Sequence, residues 1–150
     1  MRFQGRNLRK GRISQTGQIY LVTTVTQDRT PLFAFWPLAC LAARELHIQN
    51  QSDRIEILAW VLMPDHLHCL LQLKDGNLSQ CIQRFKSRSA IAINAARGNE
   101  GRVWQKGFHD RALRKEEDIR SLARYVISNP VRAGLVARVA DYPLWNAAWL

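Results

Sequence analysis

Apolar and polar positions along this chain alternate with two different periods, and the changes of period divide it into elements. QIYLVTTVTQD (18–28) is rich in Tyr, Val and Thr and predicts a strand. From about Trp36 to Asn50, Leu38, Leu41, Ala42 and Leu46 recur at helical spacing, behind a proline suited to a first helical turn. Two apolar runs, RIEILAWVL (54–62) and HLHCLLQL (66–73), flank Met63-Pro64-Asp65 and predict a β-hairpin. Asp75-Gly76-Asn77 breaks the pattern. A second helix is expected from about Ser79 to Ala96, with Ile82, Phe85 and Ile93 facing inward and RGNEG (97–101) ending it. VWQKGFHDRALR (103–114) predicts a last strand with an irregular start. EEDIRSLARYVISNP (116–130) predicts a third helix, with acidic residues in its first turn and Pro130 closing it. In the tail, residues 131–150, Trp145 and Trp149 are expected to pack back on the body.

The resulting order, β-α-β-β-α-β-α, predicts an α+β fold. Its first six elements follow the ferredoxin-like βαββαβ pattern, an antiparallel sheet with two helices on one face, and the third helix is an addition. A chain of 150 residues suits one domain, 1–150, here with a basic N-terminal arm over residues 1–17.

Charge narrows the function. There are 22 Lys and Arg against 12 Asp and Glu, a net charge of +10, which points to a polyanionic partner. No apolar run is long enough to span a bilayer, and no helix sets a clean basic face against a large apolar one, so a membrane partner is not expected. The basic start is followed by polar ISQTGQ rather than an apolar signal core. Cys40, Cys69 and Cys81 show no paired spacing. Together these features predict a cytoplasmic protein.

Candidate chemistry begins in the apolar run VLMPDHLHCLLQL (61–73). On a strand, residues i and i+2 share a face, so His66 and His68 are neighbours and form half of a metal site. By spacing alone, two partly buried histidines with ordinary hydrogen bonds are the commoner explanation. Tyr125 and Asn129 lie four residues apart on one stripe of the third helix, beside the apolar set Ile119, Leu122, Ala123, Val126 and Ile127. Read blandly, they are a core-edge tyrosine and a C-capping asparagine.

The segments MPDHLH (63–68), WQKGFHDRALRKEED (104–118) and RYVISNPVRAGLV (124–136), in that order, resemble the HUH single-tyrosine transposases. Within them the chain is most similar to the REP-associated tyrosine transposases, over about Tyr20 to Trp145. The resemblance implies that His66 and His68 bind a divalent metal, that Asn129 completes its coordination, and that Tyr125 is the nucleophile. It implies cleavage and rejoining of single-stranded DNA hairpins through a 5′-phosphotyrosine, with a short tetranucleotide 5′ of the palindrome read as a guide. Two imidazoles alone would suit zinc, nickel or copper; the resemblance implies Mg²⁺ or Mn²⁺, with Mn²⁺ expected to bind tighter. A free phenol ionises near pH 10, so a nearby cation helps to form the attacking phenolate. Asp65, His109 and Asp110 fall in these segments and are candidates for supporting or base roles.

Basic residues cluster in three places. Arg6, Arg9, Lys10 and Arg12 in the arm are expected to read sequence, and Arg84, Lys86 and Arg88 on the second helix to contact phosphate. Arg111 and Arg124 belong to a third cluster that runs on to Arg132. Two rival functions stand beside the transposase. One is a ferredoxin-like module that holds hairpin nucleic acid without cutting it. The other is a metal-dependent phosphodiesterase that uses water. One tyrosine and one histidine pair suffice for a monomeric site; insertion-sequence relatives imply that a dimer is possible.

Overall fold

The computed structural model describes residues 14–114 and 118–148. Its strands are β1 (Ile19–Val25), β2 (Ile55–Met63), β3 (His66–Leu73), β4 (His109–Ala112) and β5 (Trp145–Ala147). Its helices are α1 (Trp36–Asn50), α2 (Leu78–Arg97), α3 (Ile119–Ile127) and the short α4 (Asn129–Arg132). The strands form one sheet in the order β4-β1-β3-β2-β5, and every neighbouring pair is antiparallel. The first four strands and first two helices thus make the expected ferredoxin-like unit.

Alternation along β3 organises both faces. Leu67, Cys69, Leu71 and Leu73 join one core with Leu38, Ala42 and Leu46 of α1 and Cys81, Ile82, Phe85 and Ile93 of α2. Leu70 points the other way, into a second core with Ala123, Val126 and Ile127 of α3. Burial on both faces explains why β2 and β3 read as nearly continuous apolar runs rather than as an alternating pattern. A nine-residue helix is too short to persist alone in water. Burying Val126 and Ile127 is worth roughly 1.5–3 kcal/mol each, so packing on the sheet is what holds α3 in place.

Local chemistry sets the helix ends. Asn77 caps α2 by accepting a hydrogen bond from the Gln80 amide at 3.3 Å, and Gly98 ends it in the left-handed conformation at φ 62°. Asp118 caps α3, accepting from the Arg120 amide at 3.0 Å and the Ser121 hydroxyl at 2.9 Å.

Several boundaries differ from expectation. β1 stops at Val25, and Gln27–Arg29 turn as a 3₁₀ segment rather than extending the strand to residue 28. The predicted strand over 103–114 is regular only at His109–Ala112. Before it, Trp104 is anchored by packing: its indole N–H donates to Ser89 Oγ at 3.0 Å, and its ring meets Phe33 and Phe85 at 5.4 and 5.6 Å. Pro130 does not close the third helix. That helix ends at Ser128, and Pro130 sits in the first turn of α4, where its missing N–H costs nothing. The tail adds a fifth strand, with Trp145 opposite Val61. Trp145 packs in the second core, its indole donating to the Val139 carbonyl at 3.1 Å; Trp149 lies outside the described residues.

Lys86 is also placed differently. It is only 6% exposed, and its ammonium donates to the carbonyls of Gln105 and Gly107, each at 2.6 Å. It ties α2 to the segment leading into β4 instead of offering charge to a phosphate. Burial, helped by Arg102, pulls its pKa down to about 8 from an ordinary 10.5. Below pH 8 the group is charged in both folded and unfolded chains, and the burial cost falls fully on the fold. Between pH 8 and 10.5 the folded chain sheds a proton that the unfolded chain keeps, so stability rises with pH across this window. Lys86→Met should flatten that rise, by at most on the order of 3 kcal/mol, as read from denaturant midpoints of both proteins at the two ends of the window.

Candidate active site

The histidine pair lies on the sheet face covered by α3. His66 and His68 point the same way from β3, and their ring centroids are 4.7 Å apart in an edge-to-face arrangement. Each ring is fixed through Nδ1. The Asp65 carboxylate meets His66 Nδ1 at 2.7 Å, and Thr23 Oγ1 meets His68 Nδ1 at 2.8 Å. These contacts occupy Nδ1 of both rings, so Nε2 is the nitrogen each could offer to a metal. Burial, the neighbouring His66 and the charge of Arg132 together push His68 down to about 4, so it is neutral at physiological pH, as a metal ligand must be.

Asp65 joins the hairpin turn to the site. Its other oxygen accepts from Arg29 Nε at 3.1 Å. Burial works to raise its pKa, but the hydrogen bond and charge of His66, with Arg29, outweigh this and hold it below the usual carboxylate value. The turn itself is tied down, because the Asp65 carbonyl accepts from the amide of Thr26 at 2.9 Å. Arg29 and the residue before it, Asp28, both take positive φ, 52° and 57°, a conformation that costs energy for non-glycine residues.

On α3, Tyr125 is 54% exposed although its neighbours Val126 and Ile127 are buried. Asn129 opens α4, and its amide nitrogen donates to the Val126 carbonyl at 2.8 Å. With the nitrogen committed, Oδ1 is the atom that carries ligand chemistry. Arg132 stands over the tyrosine. Its guanidinium carbon lies 3.9 Å from the centre of the Tyr125 ring, one of its nitrogens donates to Ser128 Oγ, and its charge reaches His68. In the sequence Arg132 is one more charge in a cluster. Its position two residues past Pro130 carries no signal until the second helical start there is seen.

Among the described residues, no three His, Cys, Asp or Glu side chains gather into a metal cage. Two imidazole nitrogens and an amide oxygen fit an open site for a divalent cation, in which substrate oxygens and water supply the remaining ligands.

Strand register places the other candidates. His109 pairs with Thr23, which pairs with His68, so all three share one row on the same face. Arg111, two residues on, also belongs to that face. Asp110 alternates to the opposite face, level with Val22 and Cys69, and so does not stand beside the histidines. Arg124 is exposed on α3. Arg84 and Arg88 are on α2, across the sheet from the pair, and Arg88 Nε is bound to Glu45 at 2.6 Å. Arg6, Arg9, Lys10 and Arg12 lie outside the described residues.

Comparison with known proteins points one way. The chain matches the family described as IS200-like transposases over residues 14–129, which contains both histidines, Tyr125 and Asn129. A REP-associated tyrosine transposase of Escherichia coli K12 is 33% identical over 67% of this chain, and the match spans 59% of that relative's length. A Haemophilus influenzae protein named for the same group is 28% identical over 85% of this chain and 78% of its own. A solved structure of a REP-associated tyrosine transposase bound to a REP hairpin superposes with a TM-score of 0.74 and 24% identity, covering 97% of this chain and 81% of that one. With a family match across well over half of its length, the chain belongs to the IS200-like transposases.

Proposed function

We propose that this protein cleaves and rejoins single-stranded DNA at palindromic hairpins, using Tyr125 as the nucleophile and a divalent metal held by His66, His68 and Asn129. The observation that carries the reading is that the helix bearing the exposed Tyr125 packs on the same sheet face as the oriented histidine pair. Arg132 lies over the ring of that tyrosine, 3.9 Å from its centre.

In the cleavage step, Tyr125 Oη attacks the scissile phosphorus. An O–P bond forms to the tyrosine as the bond to the 3′-oxygen breaks. The phenol loses its proton to a base, and the departing 3′-oxygen takes one up. The DNA downstream stays on the protein as a 5′-phosphotyrosine, which conserves the bond energy for attack by another 3′-hydroxyl. A bound Mg²⁺ or Mn²⁺ supplies charge that offsets the negative charge building on the phosphate oxygens. Asp65 and Thr23 keep the two imidazoles turned with Nε2 outward. Burial keeps His68 unprotonated. The packing of Val126 and Ile127 fixes the height of Tyr125 above the sheet.

Similarity to the hairpin-bound structure supports DNA hairpins as the substrate. A tetranucleotide guide 5′ of the hairpin, and action as a monomer, complete the proposal. His109 and Arg111 face the same side as the pair and are suited to line the DNA path.

Labelled single-stranded hairpins from the repeats of the host genome, mixed with protein and Mn²⁺, should give a protease-sensitive shifted band on a denaturing gel. EDTA should abolish it, and Tyr125→Phe should lack it while still binding the hairpin. Cleavage without an adduct would instead indicate attack by water, and tight binding without cleavage a hairpin-holding module.

Asp65→Ala removes the acceptor that orients His66. Mn²⁺ affinity should fall about 10–100-fold in calorimetry, with the fold retained by circular dichroism. Unchanged affinity would reduce Asp65 to a turn residue.

A further inference from the structure

Arg132 has no role in the scheme above beyond its place over the tyrosine ring, and its surroundings suggest more. It is exposed, and no carboxylate among the described residues pairs with it, whereas Arg29, Arg88 and Arg138 each hold one. Its guanidinium lies against the face of the Tyr125 ring, 3.9 Å from the centre. Stacking uses only the π surface of a guanidinium. The N–H donors point outward in its plane, and among the described residues only one of the five is engaged, by Ser128 Oγ. The remaining donors therefore fan out beside the tyrosine.

A cation with open, coplanar donors stacked on a candidate nucleophile has the chemistry of a phosphate fork. From this arrangement we infer that Arg132 is a catalytic residue. Its guanidinium holds a non-bridging oxygen of the scissile phosphate in reach of Tyr125, while the stacked face fixes the ring for attack. This inference rests on the proposed cleavage reaction and adds the group that grips its reacting phosphate. α4 exists, on this view, to carry that grip. Pro130 starts a fresh helical turn, and Arg132 then falls one turn beyond Ser128 and back over Tyr125.

Two consequences separate a phosphate-holding role from a structural one. Removing one donor to a developing oxyanion typically costs about 10²–10³ in rate. Most of the DNA affinity should come from contacts elsewhere, so Arg132→Gln should lower the rate of adduct formation about 10²–10³-fold and change hairpin Kd by less than about threefold. Guanidinium ion added to Arg132→Gly should restore part of the rate, because it can refill the space beside Tyr125. Arg132→Lys should recover little, since an ammonium keeps the charge but loses the planar fork.

The measurement is single-turnover adduct formation by wild type and the three variants on one radiolabelled hairpin with Mn²⁺. Hairpin Kd by filter binding and melting temperature are taken alongside. A large rate loss with retained binding, retained melting temperature and guanidinium rescue is the expected result. Wild-type rate in Arg132→Gln would overturn the assignment while leaving the cleavage reading intact, as would a loss confined to Kd. A rate loss that Arg132→Lys restores fully would also overturn it, reducing Arg132 to a general positive charge. Absence of any adduct in wild type would overturn the cleavage reading and this assignment with it.

Discussion

A strand turns successive side chains to opposite faces, and β3 puts that constraint at the centre of the sheet. Its odd-numbered residues feed the core beneath α1 and α2, while its even-numbered residues begin with two histidines and pass to Leu70 under α3. Everything at the site depends on this period. A shift of one residue would bury the imidazoles among leucines and send Leu67 and Cys69 to the face under α3. The pairing is pinned on both sides, to β1 by Thr23 opposite His68 and to β2 by Met63 opposite His66. The hairpin turn between β2 and β3 does double service, since its Asp65 also grips the first imidazole.

Much of this was legible in the sequence because the governing patterns are local. Helical spacing behind Pro37 and caps around Asn77 and Gly98 mark their helices without reference to the rest of the chain. The histidine pair was visible from period two alone, and Tyr125 with Asn129 from period four. Less legible were features that depend on contacts distant in sequence. Lys86 looks like one of three surface charges on a helix, and only the carbonyls of residues 105 and 107 reveal why it is buried. Asp110 sits in the same motif as His109, but the motif does not say which of the two faces the site; the pairing with β1 does. Trp145 to Ala147 is too short a strand to announce itself, and it exists because β2 offers it a partner.

The site shows the same division. Which residue types are present follows from the sequence. How they are aimed follows from the supports: a threonine from β1, a carboxylate from the turn, an arginine from a second helical start. Asp28 and Arg29 show that this aim is bought with backbone strain, for two consecutive residues are held at positive φ beside the group that steadies Asp65.

The outer strands of the sheet have a different consequence. β4 has four residues and β5 three, and among the described residues these are the outermost strands of the sheet. A long exposed margin is a template on which another chain can add its own backbone; strands this short offer only a brief stretch of it. Growth of the sheet from one molecule into the next therefore gains little. Two copies brought together on one DNA would have to recognise each other through side chains, or through the nucleic acid itself, and a concentrated, highly basic protein is spared one common route to aggregation.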